Sequence, residues 1–289
     1  MVFLIPDWRP RRSALFMPAS NARALHKART LPADTLIFDL EDSLGPGERE
    51  TAYANLRELV KGVDFGRRER VIRTSAVETE GFSADFEMAL ECSPDAVLLP
   101  KVEHADTLVL ATDRLDRAGS SAKLWAMIES PKALVAIADI ASASSRLQCL
   151  VVGPNDLAKT TGVAMRPGRM AMIPWFMTII AAARANDLCV LDGVYNNFRD
   201  TEGFAAECAQ AAELGFDGKT LIHPSQIDAA NTAFTPLEEE FERARRIVEA
   251  FADPTNKGRG AIALDGEMVE RLHLDSAMRL LEAHKVLDP

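Results

Sequence analysis

The chain has 289 residues, of which 47% are hydrophobic and 26% charged, and its 33 Lys and Arg against 43 Asp and Glu leave a formal net charge of −10 at pH 7. This apolar content excludes a disordered chain, and the acidic surplus argues against nucleic-acid binding. The length suits either two medium domains or one large α/β domain of barrel size.

The N-terminal segment does not predict a signal peptide. Its apolar start MVFLI precedes Pro6, Asp7 and several arginines, whereas a signal peptide has its charge before its apolar region. The longest apolar stretch, 171–183, is too short to span a bilayer and contains Pro174. The four cysteines form no CxxC pair, which is typical of buried free thiols in a reducing compartment. We therefore expect a cytoplasmic protein that does not span a membrane.

Eight short apolar runs, each ending in polar or charged residues, predict β-strands. Continuous apolar runs of this length are typical of strands buried on both faces, as in parallel sheets. The runs cover residues 13–20, 35–42, 70–75, 96–101, 123–130, 149–156, 188–195 and 218–225.

The segments between these runs predict helices, because their apolar residues recur at steps of three and four. They cover residues 22–31, 48–62, 83–92, 105–118, 131–141 and 204–216. Gly215 is placed to end the last of these helices. The alternation predicts a single (β/α)8 TIM barrel. The alternative, a doubly wound open sheet, lacks a GxGxxG motif after its first strand.

A C-terminal extension of residues 236–289 follows the barrel domain, which we place at residues 1–235. The extension begins with a strongly charged helix at 238–253. A short strand AIAL, a turn at Asp265–Gly266 and a final helix follow. Because a barrel does not need this helical and hairpin extension to close, we expect it to cover the barrel mouth or to contact a neighbouring subunit.

Polar side chains follow the end of every predicted strand, where a TIM barrel builds its active site. Any one of them could be a helix cap or a solvated loop residue, and Lys101 could equally form an internal salt bridge. There are more of these polar residues than helix capping requires. We therefore expect their side chains to converge at one mouth of the barrel. The residues are Ser20, Asp39, Glu41, Asp42, Arg73, Lys101, Glu129, Asn155, Asp156, Asp192, Tyr195 and His223.

Two carboxylates on neighbouring predicted strands, Glu129 and Asp156, indicate a hard divalent cation with oxygen ligands. Mg²⁺ fits, with Mn²⁺ as an alternative, completed by water and substrate oxygens. The five histidines show no zinc spacing. Arg73 can bind an oxyanion through two parallel hydrogen bonds. A cation and an arginine together suit the stabilisation of an enolate when a C–C bond is broken or formed.

The motifs RSALFMPAS, LIFDLEDS, MIESPKAL, VVGPNDLA and LIHPSQI, in this order, resemble the citrate lyase β-subunit-like family of the HpcH/HpaI aldolase and malyl-CoA lyase group. The resemblance covers residues 11–285. It implies a TIM-barrel enzyme that binds Mg²⁺ and a CoA thioester and assembles as a homotrimer or homohexamer. It also implies that Glu129 and Asp156 bind the metal and that Arg73 contacts the substrate carbonyl oxygens. Asn155 is expected to give the substrate carboxylate a backbone contact.

The resemblance further implies where CoA binds. Arg12 and Lys27 fall in the N-terminal region that holds CoA phosphates in relatives, and His223 falls where the last strand lines the CoA or substrate side. Since CoA is anionic and the chain is acidic, binding requires a local basic cluster. The first thirty residues offer Arg9, Arg11, Arg12, Arg23, Lys27 and Arg29.

The C-terminal tail departs from the family pattern. Relatives carry a segment like GxMIDxP, whose aspartate enters a neighbouring subunit's site and acts as the acid/base for the thioester methyl group. Here the segment reads GEMVER, so Glu270 stands in the place of the aspartate, and Asp265 is a second candidate for the role. Asn197, where relatives often have an acidic residue, is a milder departure.

The expected activity is Mg²⁺-dependent C–C lysis of a β-hydroxyacyl-CoA of the malyl-CoA or citramalyl-CoA type. The products would be acetyl- or propionyl-CoA and a 2-oxo acid. Three alternatives remain. The first is a citrate lyase β-subunit acting on an acyl-carrier-protein thioester, and the second is an aldolase acting on an unactivated hydroxy acid. The third is a protein that binds CoA and metal with little lyase activity.

Overall fold

The computed structural model describes residues 9–60 and 64–287. The predicted N-terminal features before residue 9, and the last two residues of the helix predicted at 48–62, lie outside this range. Residues 11–234 form one compact unit. Residues from Thr235 onward belong to a second unit, with which Arg9 and Pro10 are grouped. In the described part of the chain, no helix is both long and apolar enough to cross a bilayer.

Unit 11–234 is a closed barrel of eight parallel strands, each bonded to the next and the last to the first. It confirms the predicted TIM barrel, and each predicted run contributes one strand. The strands are β1 (Ser13–Pro18), β2 (Thr35–Asp39), β3 (Glu69–Arg73), β4 (Ala96–Leu99), β5 (Lys123–Ile128), β6 (Leu147–Val152), β7 (Cys189–Asp192) and β8 (Gly218–Leu221).

Helices follow every strand and pack around the barrel. Gly215 ends α9 in the left-handed region, as predicted. The apolar stretch 171–183 is mostly α8. The helices are α1 (Ala22–Ala28), α2 (Arg49–Val60), α3 (Phe82–Cys92), α4 (Ala105–Arg117), α5 (Pro131–Val135), α6 (Ile137–Ser142), α7 (Pro154–Thr161), α8 (Ile173–Ala185), α9 (Thr201–Leu214) and α10 (Ile227–Ala233), with a short 3₁₀ turn at Pro224–Gln226.

The strand register sets which side chains meet at the carboxyl ends of the strands. Asp39 pairs with Arg73 across β2 and β3, and Ile128 pairs with Val152 across β5 and β6. Paired residues of neighbouring parallel strands point to the same face. Asp39 and Arg73 are therefore side by side, and Glu129 follows β5 at the same level as the turn that begins α7.

Arg11 closes the opposite end of the barrel, just before β1. Its guanidinium donates to both carboxylate oxygens of Glu69, at 2.6 and 2.8 Å, and to Gln148 at 2.6 Å. It also lies 5.1 Å from the centroid of the buried Trp125 ring. The Arg11 side chain is therefore part of the barrel floor, and it does not belong to the basic cluster expected for an anionic ligand.

The second unit contains α11 (Glu238–Ala252), a 3₁₀ turn (Pro254–Asn256), a hairpin of β9 (Ala261–Leu264) and β10 (Glu267–Glu270), and α12 (Arg271–Leu287). These are the elements predicted for the tail. Asp265 and Gly266 both have positive φ, 52° and 82°, which is the two-residue turn that Asp-Gly favours in hairpins. The small core of this unit consists of Ala244, Ile247, Ile262, Val269 and Ala277.

Candidate active site

A cleft of about 310 Å³ opens at the carboxyl ends of the barrel strands. It has an acidic side, a basic centre contributed by Arg73, and apolar walls. The residues that line it are Phe16, Pro18, Asp39, Asp42, Ser43, Arg73, Met127, Glu129, Val152, Gly153, Pro154, Asn155, Asp156, Val194, Asn196, Thr220 and Ile222. The mouth therefore brings together several of the polar residues predicted to converge there.

Glu129 and Asp156 line the same side of the cleft. Glu129 follows β5 and is only 4% exposed, and Asp156 lies in the first turn of α7 and is half-buried. Burial raises the pKa of Glu129 to about 7, and the negative charges of Glu41 and Asp156 add to this rise, while the Lys101 N–H and Arg73 oppose it. The two carboxylates therefore repel each other in a poorly solvated place, where a cation would be favoured.

The donor set fits a hard divalent cation. Glu129 Oε1 accepts the Lys101 backbone N–H at 2.7 Å, but Glu129 Oε2 and the Asp156 carboxylate accept no hydrogen bond from the residues described. Over residues 9–60 and 64–287, no group of three or more His, Cys, Asp or Glu side chains is arranged around a metal position. Two protein carboxylates would thus hold Mg²⁺ together with water and substrate oxygens, as Mg²⁺ prefers.

Gly153 keeps space beside Glu129. A Cβ on Gly153 would come 2.4 Å from Glu129 Cβ and 2.6 Å from Glu129 Oε2. Both distances are far below van der Waals contact. The glycine of the GPND motif thus permits the close approach of the β6–α7 turn, which carries Asp156, to Glu129.

Arg73 is buried at the centre of the cleft and is held by Asp39. Its Nε and Nη2 donate to Asp39 Oδ1 and Oδ2 at 2.6 and 2.7 Å, and its guanidinium carbon lies 4.6 Å from the Phe16 ring centroid. Burial disfavours its charge, but the hydrogen bonds and charge of Asp39 raise the pKa of Arg73 above its ordinary value. Arg73 thus stays cationic, with Nη1 on the side away from Asp39.

Nη1 of Arg73 faces two further carboxylates of the LEDS motif. It lies 3.1 Å from Glu41 Oε2 and 3.4 Å from Asp42 Oδ2. Glu41 Oε2 is buried without a hydrogen bond. Burial raises the pKa of Glu41 despite the opposing charges of Arg73 and Lys101. Nη1 donates to Asp42 Oδ2 at 3.4 Å and to Met127 Sδ at 3.7 Å, and both hydrogen bonds are longer than those that Nε and Nη2 make to Asp39.

Lys101 forms the internal salt bridge that the sequence left open. Its Nζ lies 2.7 Å from Glu41 Oε1. Its backbone is left-handed, with φ 52°, an uncommon conformation for a lysine. This conformation presents the Lys101 N–H to Glu129. Lys101 therefore acts on the candidate metal site through its main chain and on Glu41 through its side chain.

Asn155 and Asn196 form a reciprocal amide pair at the rim of the cleft. Each Nδ2 donates to the other's Oδ1, at 3.2 and 2.9 Å. The pair joins the first turn of α7 to the segment after β7, and both residues line the cleft. The sequence pointed to Asn155 but gave Asn196 no role.

Asp192, which was predicted at the mouth, points elsewhere. Asp192 is fully buried, accepts two hydrogen bonds from Arg169 Nη1 at 2.8 Å, and lies 2.6 Å from Lys219 Nζ. Lys219 also binds Glu207 of α9, so this network lies between the barrel and its helices. Side chains alternate along a strand, and Thr220, next to Lys219, is the one that lines the cleft. The expectation that Asp192 lines the mouth was wrong for this reason.

Arg12 does not reach the mouth either. It precedes β1, at the floor end of the barrel, and its guanidinium donates to both oxygens of Asp34, at 2.8 and 2.9 Å. Lys27 is exposed on α1 and makes no ion pair with any residue the structure describes. Arg12 and Lys27 were both predicted to hold CoA phosphates. The charge of Arg12 is paired with Asp34, whereas the ammonium of Lys27 is not paired with any described carboxylate.

His223 follows β8 and begins the 3₁₀ turn, next to the cleft-lining Ile222. Glu270 and Asp265 belong to the second unit. The Glu270 N–H donates to His273 Nδ1 at 2.9 Å, and Asp265 Oδ2 lies 2.9 Å from Arg246 Nη1. The acid/base roles predicted for these two carboxylates stay predictions.

The sequence predicted Asp39 and Glu41 at the mouth without a specific role and did not indicate Phe16, although all three surround Arg73. The signal for Asp39 was present, because it follows the apolar residues 36–38 just as Arg73 follows the apolar residues 71–72. The register that pairs them in space was not visible in the sequence.

Comparison with known proteins identifies the family to which the chain belongs. The model of the HpcH/HpaI aldolase/citrate lyase family matches residues 12–224. A (3S)-malyl-CoA thioesterase of Cereibacter sphaeroides (strain ATCC 17029 / ATH 2.4.9) is 43% identical over 272 residues, 94% of each chain. Citrate lyase subunit beta of Escherichia coli (strain K12) is 34% identical over 280 residues, 94% of this chain and 93% of that one.

A solved structure resembles nearly the whole chain. It is CitE from Mycobacterium tuberculosis in complex with magnesium, acetoacetate and coenzyme A. The TM-score is 0.78 at 30% identity, and the match covers 97% of this chain and 100% of that chain.

Proposed function

Because the chain belongs to the HpcH/HpaI aldolase/citrate lyase family, we propose that it is a Mg²⁺-dependent C–C lyase acting on a β-hydroxyacyl-CoA of the malyl-CoA type. The observation that carries the proposal is one cleft in which the Glu129–Asp156 carboxylate pair lies with the buried, charged Arg73. Relatives bound to magnesium and coenzyme A, or named for malyl-CoA, support the cofactor and the substrate class.

The proposed reaction breaks the bond between the hydroxyl-bearing carbon and the carbon next to the thioester. The substrate hydroxyl loses its proton and becomes the carbonyl of a 2-oxo acid. The electron pair of the broken bond passes to the thioester enolate, which takes a proton at carbon to give acetyl- or propionyl-CoA. When bound, Mg²⁺ would polarise the oxygens of the 2-hydroxy acid end.

Each cleft residue has a part in this reaction. Glu129 and Asp156 would hold the cation. Arg73 would stabilise the charge that develops on oxygen, because Asp39 fixes its orientation in a desolvated place. Asn155, in the same turn as Asp156, would give the substrate carboxylate a backbone contact.

Proton transfer at the thioester carbon needs a further group. We propose Glu270 of a neighbouring copy, with Asp265 as the alternative, which requires assembly as a homotrimer or homohexamer. Light scattering measures the assembly. Mixing an Arg73→Ala variant with a Glu270→Gln variant should restore activity if the two residues act in one site from different chains.

The test of the activity is a substrate panel. Malyl-, methylmalyl- and citramalyl-CoA are incubated with the protein and Mg²⁺ or Mn²⁺, with and without chelator, and the 2-oxo acid is measured as its phenylhydrazone. We expect one member to yield oxo acid only when the metal is present. Lack of oxo acid from every member would overturn the proposal.

A second candidate function is hydrolysis of the same thioester. The relative that is 43% identical is named a (3S)-malyl-CoA thioesterase, and Glu270, one bond longer than the expected aspartate, favours loss of proton transfer at carbon. Misplacement by about 1 Å can cost on the order of a hundredfold in rate. Hydrolysis gives free CoA thiol without oxo acid, and a thiol reagent therefore separates the two reactions.

A further inference from the structure

A stacked pair of rings stands at the rim of the cleft. Phe198 lies two residues after the cleft-lining Asn196, and His223 directly follows the cleft-lining Ile222. The ring centroids are 4.5 Å apart and the planes are inclined by 18°. The Phe198 side chain remains 38% exposed, and no other Phe, Tyr or Trp is so exposed over residues 9–60 and 64–287.

Hydrogen bonds hold the His223 side of this ring pair in place. His223 Nδ1 accepts the Ser225 N–H at 3.2 Å and lies 2.8 Å from Ser225 Oγ. Gln226 Oε1 accepts the His223 N–H at 3.2 Å, and Gln226 Nε2 donates to the Tyr195 carbonyl at 3.0 Å. Gln226 thus ties the turn that carries His223 to the segment that leads to Phe198. His223 is therefore held in place by its own turn, and Phe198 stacks on it.

A free cation adjoins the pair. The Arg199 guanidinium carbon lies 5.9 Å from the Phe198 ring centroid. Arg199 is exposed and makes no ion pair with any described residue. An aromatic surface beside an unpaired arginine has the chemistry that recognises a nucleotide, since the base stacks and the phosphate pairs with the guanidinium.

We propose that Phe198 and His223 form the platform on which the adenine of the CoA thioester stacks, with Arg199 contacting a phosphate of its adenosine part. This inference rests on the proposed use of a CoA thioester. It adds the three residues that would bind the nucleotide part of CoA. The ligand part is planar like the two rings, which distinguishes it from the flexible pantetheine arm. Stacking on a rigid platform loses little side-chain entropy on binding.

The test measures binding rather than turnover. Isothermal titration of adenosine 3′,5′-bisphosphate, CoA and pantetheine is carried out on the full chain and on Phe198→Ala, Phe198→Tyr and Arg199→Ala variants. Leu110→Ala is the matched control, because Leu110 is 41% exposed on α4 but does not line the cleft. Circular dichroism checks that each variant is folded.

We expect Phe198→Ala to weaken bisphosphate and CoA by at least about fivefold, the lower end for a base–aromatic stack. Pantetheine binding should not change, and Phe198→Tyr and Leu110→Ala should bind as the unmodified chain does. The inference is overturned if the unmodified chain does not bind the bisphosphate, if Phe198→Ala changes nothing, or if pantetheine weakens equally. If CoA binding depends on Phe198 but no CoA thioester is turned over, the result would support the stacking platform and contradict the proposed activity.

Discussion

Asp39 and Arg73 face each other in register at the ends of β2 and β3, and the carboxylate of Asp39 accepts hydrogen bonds from Nε and Nη2 along one edge of the guanidinium. Burial disfavours the charge of Asp39, but the Arg73 hydrogen bonds and charge hold its pKa below the ordinary value. The pair therefore fixes a cation in the cleft, and Nη1, which Asp39 does not bind, faces Glu41 and Asp42.

Replacing Asp39 by Asn should cost both stability and activity. The carboxylate is 2% exposed, and removing one partner of a buried ion pair typically costs about 3–5 kcal/mol because the other charge stays buried. Chemical denaturation measures the loss. Asp42→Asn is the control, since Asp42 lies 3.4 Å from the same guanidinium but is exposed, and it should cost less than about 1 kcal/mol. Equal losses in the two variants would contradict this account of Arg73.

Lys101 should act on Glu129 through its backbone. Lys101→Ala and Lys101→Gly both keep the N–H that binds Glu129 Oε1, and glycine adopts φ 52° at no steric cost. We expect both variants to keep Mg²⁺ affinity within about threefold, well inside the tenfold that corresponds to about 1.4 kcal/mol. Titration calorimetry with Mg²⁺ checks this. A loss of Mg²⁺ affinity in Lys101→Ala would instead assign the role to the ammonium.

Gly153→Ala should damage the candidate metal site without changing any charge. The new methyl group would overlap Glu129 Cβ and Oε2, and overpacking of this kind costs about 1–3 kcal/mol. Both the unfolding midpoint and the Mg²⁺ affinity should therefore fall. Gly162→Ala is unsuitable as a control, because Gly162 has φ 74°, whereas Ala158→Gly on α7 tests the helix alone. An unchanged Mg²⁺ affinity in Gly153→Ala would show that the turn adjusts.

The pH dependence of stability should carry the signature of Glu129. Its folded pKa of about 7 lies above the ordinary value of 4.5, so the folded state binds more protons between these two values. In metal-free protein the contribution of Glu129 is then complete below about pH 4.5 and is lost as the pH rises through about 7. The unfolding free energy of the unmodified chain minus that of Glu129→Gln, measured in chelator, should fall as the pH rises through this window, because the glutamine stays neutral while the buried Glu129 ionises. A difference that does not vary with pH would contradict the burial of a protonatable Glu129.

Much of the barrel was predictable from the sequence. Its strands are buried on both faces, so each appears as an unbroken apolar run, and the carboxyl-end residues Glu129, Asp156 and Arg73 follow from those runs. The family resemblance adds their roles. The Asp265–Gly266 turn could be predicted from the sequence, because few residue pairs tolerate two positive φ angles in succession.

The rest depended on side-chain direction and on tertiary contacts. Asp192 is the last residue of β7, whereas Glu129 directly follows β5, and the alternation of side chains along β7 turns Asp192 toward Lys219. Arg12 resembles a free cation until Asp34 is brought beside it by the pairing of β1 with β2. The left-handed backbone of Lys101 and the stack of Phe198 on His223 involve contacts across separate loops, for which a single sequence carries no local signal.

We propose that Glu129, Asp156 and Arg73 form a magnesium site that cleaves a C–C bond of a malyl-CoA-type thioester. The most direct measurement follows oxo acid and free thiol together in one reaction of malyl-CoA with Mg²⁺. It compares the unmodified chain, the chain in chelator, and the Glu129→Gln/Asp156→Asn double variant. The account predicts glyoxylate without free thiol from the unmodified chain with Mg²⁺, and no glyoxylate in chelator or from the double variant. Free thiol without glyoxylate, or glyoxylate that persists in the double variant, would contradict it.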